Sequence, residues 1–409
     1  RKPPMSASLL LNPFRTAPAQ GVAVTDFSPA VALHVRAYHA SFSQYCPTPL
    51  VSLPWLAASL GLKNVCVKDE SHRFGLNAFK VLGGSYAVAR CLAERMRLPA
   101  EGLARGMLDA PAARATAGQI TFISTTDGNH GRGLAWAARE LGYPCIIYMP
   151  KGSDKTRQNN ILALGAQCSI TDLNYDDTVR MSWNLAQEKG YVMVQDTAWD
   201  GYEQVPAWIM QGYLTLAAEI LEQMDAAAIR PTHCFLQAGV GSFAAAVAGF
   251  LVAALGEKAP RFIVVEPHAA NCFYRSALAG DGKAHAVSGD LQTLMAGLAC
   301  GEPSSLAWSI LKDYSAAFMS CPDYMAANGM RMLAAPVRGD QPIVSGESGA
   351  AGAGALHWLM SSPTAADQRT ALGLNADASV LLISTEGDTV PHIYKKIVWQ
   401  GAYADEECV

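Results

Sequence analysis

The sequence predicts an α/β protein with two domains, each built on a mostly parallel sheet flanked by helices. Short, continuously apolar strands alternate with segments of helical length, which is the pattern of βαβ units. The chain has 409 residues, which is too long for one simple core. Half of its residues are apolar and only 16% are charged, so the composition suits a large buried core.

The alternation is clearest in the first half of the chain. Residues 1–45 are interpreted as an N-terminal extension with one helix near 29–43, and residues 99–118 as a surface connection. Predicted strands and helices then alternate over 120–125, 132–141, 144–149, 153–164, 167–171, 175–189 and 191–194. We expect residues 81–190 to form a small domain, and residues 1–80 with 191–409 to form a large cofactor-binding domain.

The second half of the chain predicts another series of strands and helices. Residues 270–302 form a long segment of mixed composition. We expect a lid or cap there, because loops of this length are seldom without a function. Around them, strands are predicted at 232–237, 261–266 and 379–383, and helices at 203–224, 243–254, 306–314, 324–335 and 349–360.

Charge and composition exclude several classes of partner. The net charge of −4 gives no electrostatic reason to bind nucleic acid or an acidic membrane. No apolar run reaches the length of a membrane span, and no secretory signal pattern is present. The ten cysteines lack metal-site spacing, so no metal is expected, although Cys272 and Cys300 could pair with each other. We therefore expect a cytoplasmic enzyme.

Lys80 stands where a polar loop turns into a helix. An extended segment, 64–70, precedes the loop, and a helix follows at 81–97. The positive end of the helix dipole disfavours the charged form of a lysine at this place. A neutral amine can form a Schiff base or accept a proton. The ordinary alternative is an exposed lysine at a helix start, so the interpretation depends on what the rest of the chain supplies.

Three strand-to-helix turns have unusual compositions, and such turns bind ligands in α/β proteins. The first is Asp127-Gly128-Asn129-His130-Gly131, with an amide at the helix start. The second is Gly239-Val240-Gly241-Ser242, where free N–H groups can hold a phosphate. The third places the hydroxyls of Ser384 and Thr385 after the last strand. Taken separately each turn is weak evidence, and the second one also suits a dinucleotide loop or a helix cap.

Taken together and in order, these features resemble a known family. The lysine stretch, 73–86, and the turn at 126–131 resemble the pyridoxal-phosphate enzymes of the tryptophan-synthase-β fold, also called fold type II. Within that family they look like the diaminopropionate ammonia-lyase branch, and the likeness covers about residues 45–396. Ala78 occupies a position where many members of the wider family have Ser, a departure that fits this branch. The resemblance implies pyridoxal 5'-phosphate as cofactor, held by Lys80 as an internal aldimine.

The resemblance also implies roles for the three turns. Asn129 would hydrogen-bond the phenolic oxygen of the cofactor, and the backbone of 239–242 would bind its phosphate. Thr385, with Ser384 as the weaker choice, would face the pyridine nitrogen. Glu347 would line the cofactor site.

The implied reaction is the α,β-elimination of D- and L-2,3-diaminopropionate, through an aminoacrylate, to pyruvate and two ammonia. Lys80 would remove the α-proton on its own face of this small amino acid. Asp127 would serve the opposite face, and Asp196 would lie near the substrate amine. Both aspartates also fit the role of a turn or helix cap. A homodimer is expected on the same resemblance.

Three alternatives remain at this stage. A serine or threonine dehydratase of the same fold would share the lysine and the phosphate loop. A nucleotide-dependent dehydrogenase would use Gly239-Val240-Gly241 but would leave Lys80 and Asn129 unexplained. A non-catalytic binding protein of this fold would not need Lys80, Asp127 and Asn129 together.

Overall fold

The computed structural model describes residues 6–404, so the outermost ends of the predicted large domain, 1–5 and 405–409, lie outside the described residues. The strands are β1 Ser8–Leu11, β2 Leu50–Ser52, β3 Asn64–Asp69, β4 Phe122–Thr125, β5 Cys145–Met149, β6 Gln167–Ile170, β7 Val192–Met193, β8 His233–Gln237, β9 Arg261–Pro267, β10 Ser315–Cys321 and β11 Ser379–Ser384. The helices are α1 Pro29–Ala40, α2 Pro54–Ser59, α3 Val81–Met96, α4 Arg105–Leu108, α5 Pro111–Ala117, α6 Asn129–Leu141, α7 Lys155–Leu162, α8 Tyr175–Lys189, α9 Gln204–Gly212, α10 Leu214–Ala226, α11 Ser242–Leu255, α12 Cys272–Ala279, α13 Ser305–Tyr314, α14 Asp323–Ala334, α15 Ala351–Ser361, α16 Ala366–Leu372 and α17 Pro391–Val398.

Two sheets organise these elements. The larger sheet has the strand order β1-β10-β9-β8-β11-β3-β2, and the smaller has the order β6-β5-β4-β7. All neighbours in the smaller sheet are parallel, whereas the larger sheet carries an antiparallel strand at each edge, β1 and β2. Every residue of the central strands β8 and β11 is buried, as expected where helices cover both faces of a parallel sheet. The predicted pair of mostly parallel sheets is confirmed.

The pairing of β7 bears on where the small domain ends. β7 pairs with β4, so that Val192 lies opposite Phe122 and Met193 opposite Ile123. A border at residue 190 would separate this strand from its own sheet. We therefore propose that the small domain extends over about 81–194.

Several elements differ from the sequence prediction. The segment 99–118 holds α4 and α5 rather than an unstructured connection, and the N-terminal extension contributes β1 to the sheet edge. The predicted helix at 203–224 is two helices, α9 and α10. The first ends at Gly212, where the chain lies so close to α3 that a Cβ would stand 2.4 Å from the carbonyl oxygen of Leu82. The interrupted helix brings Tyr213 towards the centre of the molecule, where it is buried.

Candidate active site

A cavity lies where the segments that follow five parallel strands meet. These segments follow β3, β4, β7, β8 and β11, and residues 297–300 close the cavity from one side. The cavity between these segments, open solvent included, has about 530 Å³ of space free of protein atoms. Its polar side chains are those of Lys80, Asn129, Asp196, Tyr213, Gln237, Ser242, Ser348, Thr385 and Glu386. The structure thus brings the three predicted turns and the predicted lysine to one place.

Buried charges fix the start of the lysine loop. The Arg73 guanidinium has no exposed surface and donates to Glu70 Oε2 at 2.8 Å and to Glu219 Oε2 at 2.7 Å. Lys68 donates to the same oxygen of Glu219 at 2.7 Å. Breaking such a buried network leaves a charge without a partner, which costs about 3–5 kcal/mol. This network ties β3 and the loop to α10.

The end of the lysine loop is attached to the segment after β11. Phe79 N–H donates to Thr385 O at 3.1 Å, and Gly387 N–H donates to Asn77 O at 3.0 Å. Asn77 has a positive φ of 58°, and a Cβ on Gly387 would lie 2.1 Å from Asn77 Oδ1, so only glycine permits this approach. Lys80 follows directly and precedes the first residue of α3, which fixes its position at the cavity wall.

Lys80 forms a buried ion pair. Its Nζ lies 2.7 Å from Asp196 Oδ2, with 16% and 3% of the two side chains exposed. Burial lowers the pKa of Lys80, but the charges of Asp196 and Asp127 outweigh burial and raise this pKa above its ordinary value. The expectation that the helix dipole leaves a neutral amine is wrong for this state of the protein, because a carboxylate 116 residues later holds the proton on the lysine.

Asp196 is held in its ionised form. Burial acts to raise its pKa, but Lys80, His130 and a 3.3 Å hydrogen bond from Tyr175 Oη lower the pKa to about 2. The backbone carbonyl of Asp196 also accepts a hydrogen bond from Ser242 Oγ. Asp196 is therefore attached through its carboxylate to Lys80 and through its backbone carbonyl to the first residue of α11.

The turn after β8 presents backbone groups to the cavity. Gly241 has a φ of +90°, and a Cβ there would lie 2.2 Å from Phe273 Cζ, so the position requires glycine. α11 begins at the next residue, and its first N–H groups have no partner within the helix. The Ser242 hydroxyl donates to the carbonyl of Asp196, and the Ser242 N–H is one of the helix N–H groups that can bind a ligand. The four residues 239–242 all line the cavity.

Asn129 meets a residue that the sequence analysis did not single out. Its Nδ2 donates to Glu386 Oε2 at 2.5 Å, and Glu386 Oε1 accepts from Ser348 N–H at 3.1 Å. Glu386 is 1% exposed and lines the cavity beside the predicted hydroxyl turn. Glu386 follows Thr385 in the sequence, but nothing in the sequence indicated that the turn of Thr385 contacts the turn of Asn129.

The two hydroxyls after β11 differ in placement. Ser384 Oγ donates to Ser345 Oγ at 2.7 Å and lies outside the cavity lining. Thr385 lines the cavity, and its Oγ1 lies 3.3 Å from Gln237 Nε2. Gln237 Oε1 is a buried atom with no hydrogen-bond partner in the protein. The geometry favours Thr385 over Ser384 as a contact for a ligand.

Asp127 and Glu347 lie beside the cavity rather than in its lining. Both line an adjoining cavity of about 1,390 Å³, where Asp127 Oδ2 is 3.2 Å from Arg157 Nη1. Glu347 Oε2 is 3.9 Å from Arg157 Nη2, and burial with the nearby charge of Glu386 raises the pKa of Glu347. Of this pair of neighbours, Ser348 lines the cavity beside Lys80, whereas Glu347 lines the adjoining one, and the assignment of Glu347 to the cofactor site stays a prediction.

Residues 297–300 and Tyr213 were also missed as wall residues. The former belong to the segment expected to be a lid, and Gly297 N–H donates to Ser348 Oγ at 3.1 Å. Cys300 lines the cavity as a free thiol, and Cys272 is free as well, so this structure does not join them.

Among residues 6–404, no helix is both long and apolar enough to cross a membrane. The same residues hold no cluster of metal-binding side chains.

The groups around the cavity match what an aldehyde-bearing pyridine phosphate requires. A lysine amine can bind its carbonyl carbon, and the N-terminus of α11 can bind its phosphate. The Asn129 amide and the Thr385 hydroxyl offer neutral hydrogen-bonding groups on two further sides. The buried, unpartnered Gln237 Oε1 leaves an acceptor at the same end as Thr385.

Comparison with known proteins identifies the class. Residues 42–385 match the family described as pyridoxal-phosphate dependent enzyme. Because the match covers most of the chain, the protein belongs to the pyridoxal-phosphate dependent enzymes, with the fold of type II and that cofactor.

The particular relatives are more specific. The chain is 51% identical over 386 residues to the diaminopropionate ammonia-lyase of Salmonella typhimurium, which covers 94% of this chain and 96% of the relative. The Escherichia coli K12 enzyme of the same name is 50% identical over 378 residues, with 92% and 94% covered. Crystal structures of the E. coli enzyme with D-serine and with an aminoacrylate–PLP azomethine intermediate superpose with TM-scores of 0.91 and 0.89, at 47% identity and 98% coverage of both chains.

More distant matches show the fold alone. A tomato threonine deaminase has a TM-score of 0.70 at 17% identity. An L-threonine dehydratase of Haemophilus influenzae is 28% identical over 49% of this chain. The alternative of a nucleotide-dependent dehydrogenase is excluded by the family match.

Proposed function

We propose that the protein catalyses the α,β-elimination of D- and L-2,3-diaminopropionate to pyruvate and two ammonia. The observation that carries the proposal is the Lys80–Asp196 ion pair in a cavity built like a pyridoxal-phosphate site. The support from relatives is the likeness of about 50% over more than nine tenths of the chain to diaminopropionate ammonia-lyases.

The cofactor and the residues that would hold it have separate roles in the proposed reaction. When bound, it supplies an electron-withdrawing ring that stabilises negative charge at the α-carbon of an amino acid. Lys80 and residues 239–242 would hold it, with Asn129 and Thr385 at its ring. A neutral hydroxyl such as Thr385 leaves the pyridine nitrogen uncharged, which favours elimination over transamination. Glu386 would position Asn129 through the 2.5 Å hydrogen bond.

Proton transfer is assigned to the charged side chains. Lys80 would take the α-proton on its own face, and Asp196, 2.7 Å from Nζ, would stabilise the ammonium that results. Asp127 would take the α-proton on the other face. The bond between Cβ and its nitrogen then breaks, and this nitrogen must gain a proton to leave as ammonia. Water replaces the remaining nitrogen, so one substrate and one water give one pyruvate and two ammonia.

The test is the stoichiometry of products. Purified protein is supplied with each isomer of diaminopropionate, and pyruvate and ammonia are measured in the same sample. We expect two ammonia for each pyruvate.

The alternative, a serine or threonine dehydratase, is decided in the same assay. Serine would give one ammonia for each pyruvate. Faster turnover of serine or threonine than of diaminopropionate would contradict the proposal.

Two further proposals concern the assembly of the protein and its location. We propose a homodimer from the family likeness, to be tested by light scattering against the mass of one chain. The nine described cysteines are free thiols, which favours a reducing compartment such as the cytoplasm. Fractionation of the producing cells would test the location.

A further inference from the structure

Asp127 lies in a turn that packs directly on one side chain. A Cβ on Gly128 would stand 2.9 Å from Arg157 Cδ and 3.1 Å from Arg157 Cβ. Gly128 has a φ of +147°, so this close packing of backbone on side chain depends on glycine. Arg157 lies in the first turn of α7 and is only 4% exposed. The aliphatic part of Arg157 is therefore the surface against which the turn of Asp127 is formed.

The guanidinium of Arg157 is directed at Asp127. Its Nη1 lies 3.2 Å from Asp127 Oδ2, the same oxygen that a Cβ on Gly297 would approach to 3.4 Å. The carboxylate is thus fixed between a cation on one side and the backbone of 297 on the other. A carboxylate held by one charged hydrogen bond keeps its orientation better than a free one, because several rotamers are excluded.

The second nitrogen of the same guanidinium faces the large domain. Arg157 Nη2 lies 3.9 Å from Glu347 Oε2, and Glu347 is 4% exposed. Arg157 therefore stands between two carboxylates, the partly exposed Asp127 of the small domain and the buried Glu347 of the large domain. Loss of Arg157 would remove the charged partner that each of these two carboxylates has in the guanidinium.

We propose that Arg157 is a positioning residue for turnover of the D isomer, because it fixes the orientation of the Asp127 carboxylate behind Gly297, at the edge of the cofactor cavity. The proposal rests on the proposed function, in which Asp127 serves the face that Lys80 does not reach. Lys80 has its own partner, Asp196, and no contact with Arg157. Loss of Arg157 therefore affects the two isomers unequally, which a purely structural residue would not do.

The test compares both isomers in Arg157→Met and Arg157→Lys. A catalytic group displaced by about 1 Å can lose about 100-fold in rate. We expect Arg157→Met to lower kcat for the D isomer by about 10- to 100-fold and kcat for the L isomer by less than about threefold. Arg157→Lys keeps the positive charge but lacks the planar guanidinium, so it should recover part of the activity on the D isomer. Arg139→Met serves as control, because Arg139 lies on α6 of the same domain, is 48% exposed and pairs with Glu140.

Each outcome has a distinct meaning. Equal losses on both isomers, or unchanged D turnover, would overturn the proposal. If Arg157→Met does not fold, the ratio of D to L rates in Arg157→Lys decides by the same criterion. Asp127→Asn is measured in parallel. If Asp127→Asn loses kcat selectively for the D isomer but Arg157→Met does not, the role proposed for Arg157 is refuted and the role of Asp127 stands. Equal losses in Asp127→Asn remove the assigned role of Asp127 and this proposal with it, and absence of pyruvate from wild-type protein removes the proposed function.

Discussion

The Lys80–Asp196 ion pair gives a prediction whose size follows from the structure. The change is Asp196→Asn, examined in cofactor-free protein. At 2.7 Å and an effective dielectric constant of about 20, the attraction between the two charges is about 6 kcal/mol as an upper limit. With that attraction removed, burial is the largest remaining effect on the ammonium. The pKa of Lys80 should then fall from its raised value, while the charge of Asp127 still favours the ammonium.

The assay is chemical labelling of Lys80 by an amine-specific reagent, followed by mass spectrometry across pH 7–10. Only the neutral amine reacts, and each 1.4 kcal/mol changes its fraction tenfold. Labelling at pH 8 should therefore rise by at least about tenfold in Asp196→Asn. Lys155, an exposed lysine in the small domain, reports in the same sample whether reagent activity is unchanged. An equal or slower rate at Lys80 in Asp196→Asn would refute the assignment of Asp196 as the group that holds the lysine charged.

Three further predictions follow from the site. Asp127→Asn should lower turnover of D-diaminopropionate far more than that of the L isomer, and equal losses in steady-state kinetics would mean that Asp127 acts only in positioning. Gly241→Ala should weaken cofactor binding at least tenfold in an absorbance titration, because φ is +90° and the new Cβ would meet Phe273 at 2.2 Å; an unchanged affinity would contradict the assigned phosphate turn. The pKa of Asp196 is depressed to about 2 in the fold, so its share of stability is complete above its ordinary pKa and is lost as the pH falls towards 2. Urea unfolding of cofactor-free protein should therefore lose more free energy between pH 4 and pH 2 in wild type than in Asp196→Asn, and equal losses would contradict the depressed pKa.

The sequence was most informative where local pattern and ligand chemistry coincide. The strand-to-helix turns at 126–131 and 239–242 could be placed because glycines, an amide and a helix start are local features. Parallel strands then bring their carboxyl ends to one edge, so such turns converge without any knowledge of side-chain contacts. The two sheets were predictable for the same reason.

Contacts between distant segments were not predictable. The charge state of Lys80 depends on Asp196, and the orientation of Asn129 depends on Glu386, 257 residues later. Glu347 was assigned to the cofactor site by resemblance to the family, and nothing in the sequence indicated that its side chain faces Arg157 in the adjoining cavity. Edge pairing posed the same difficulty, since β1 is recognisable as a strand only through its partner β10.

The proposed elimination is tested most directly by one measurement on purified protein loaded with pyridoxal 5'-phosphate. Pyruvate and ammonia are followed together after addition of D- or L-2,3-diaminopropionate, in wild type and in Lys80→Ala. We expect two ammonia for each pyruvate in wild type, with neither product from Lys80→Ala and loss of the absorption band of the lysine-bound cofactor. One ammonia for each pyruvate, or undiminished turnover in Lys80→Ala, would contradict the proposal.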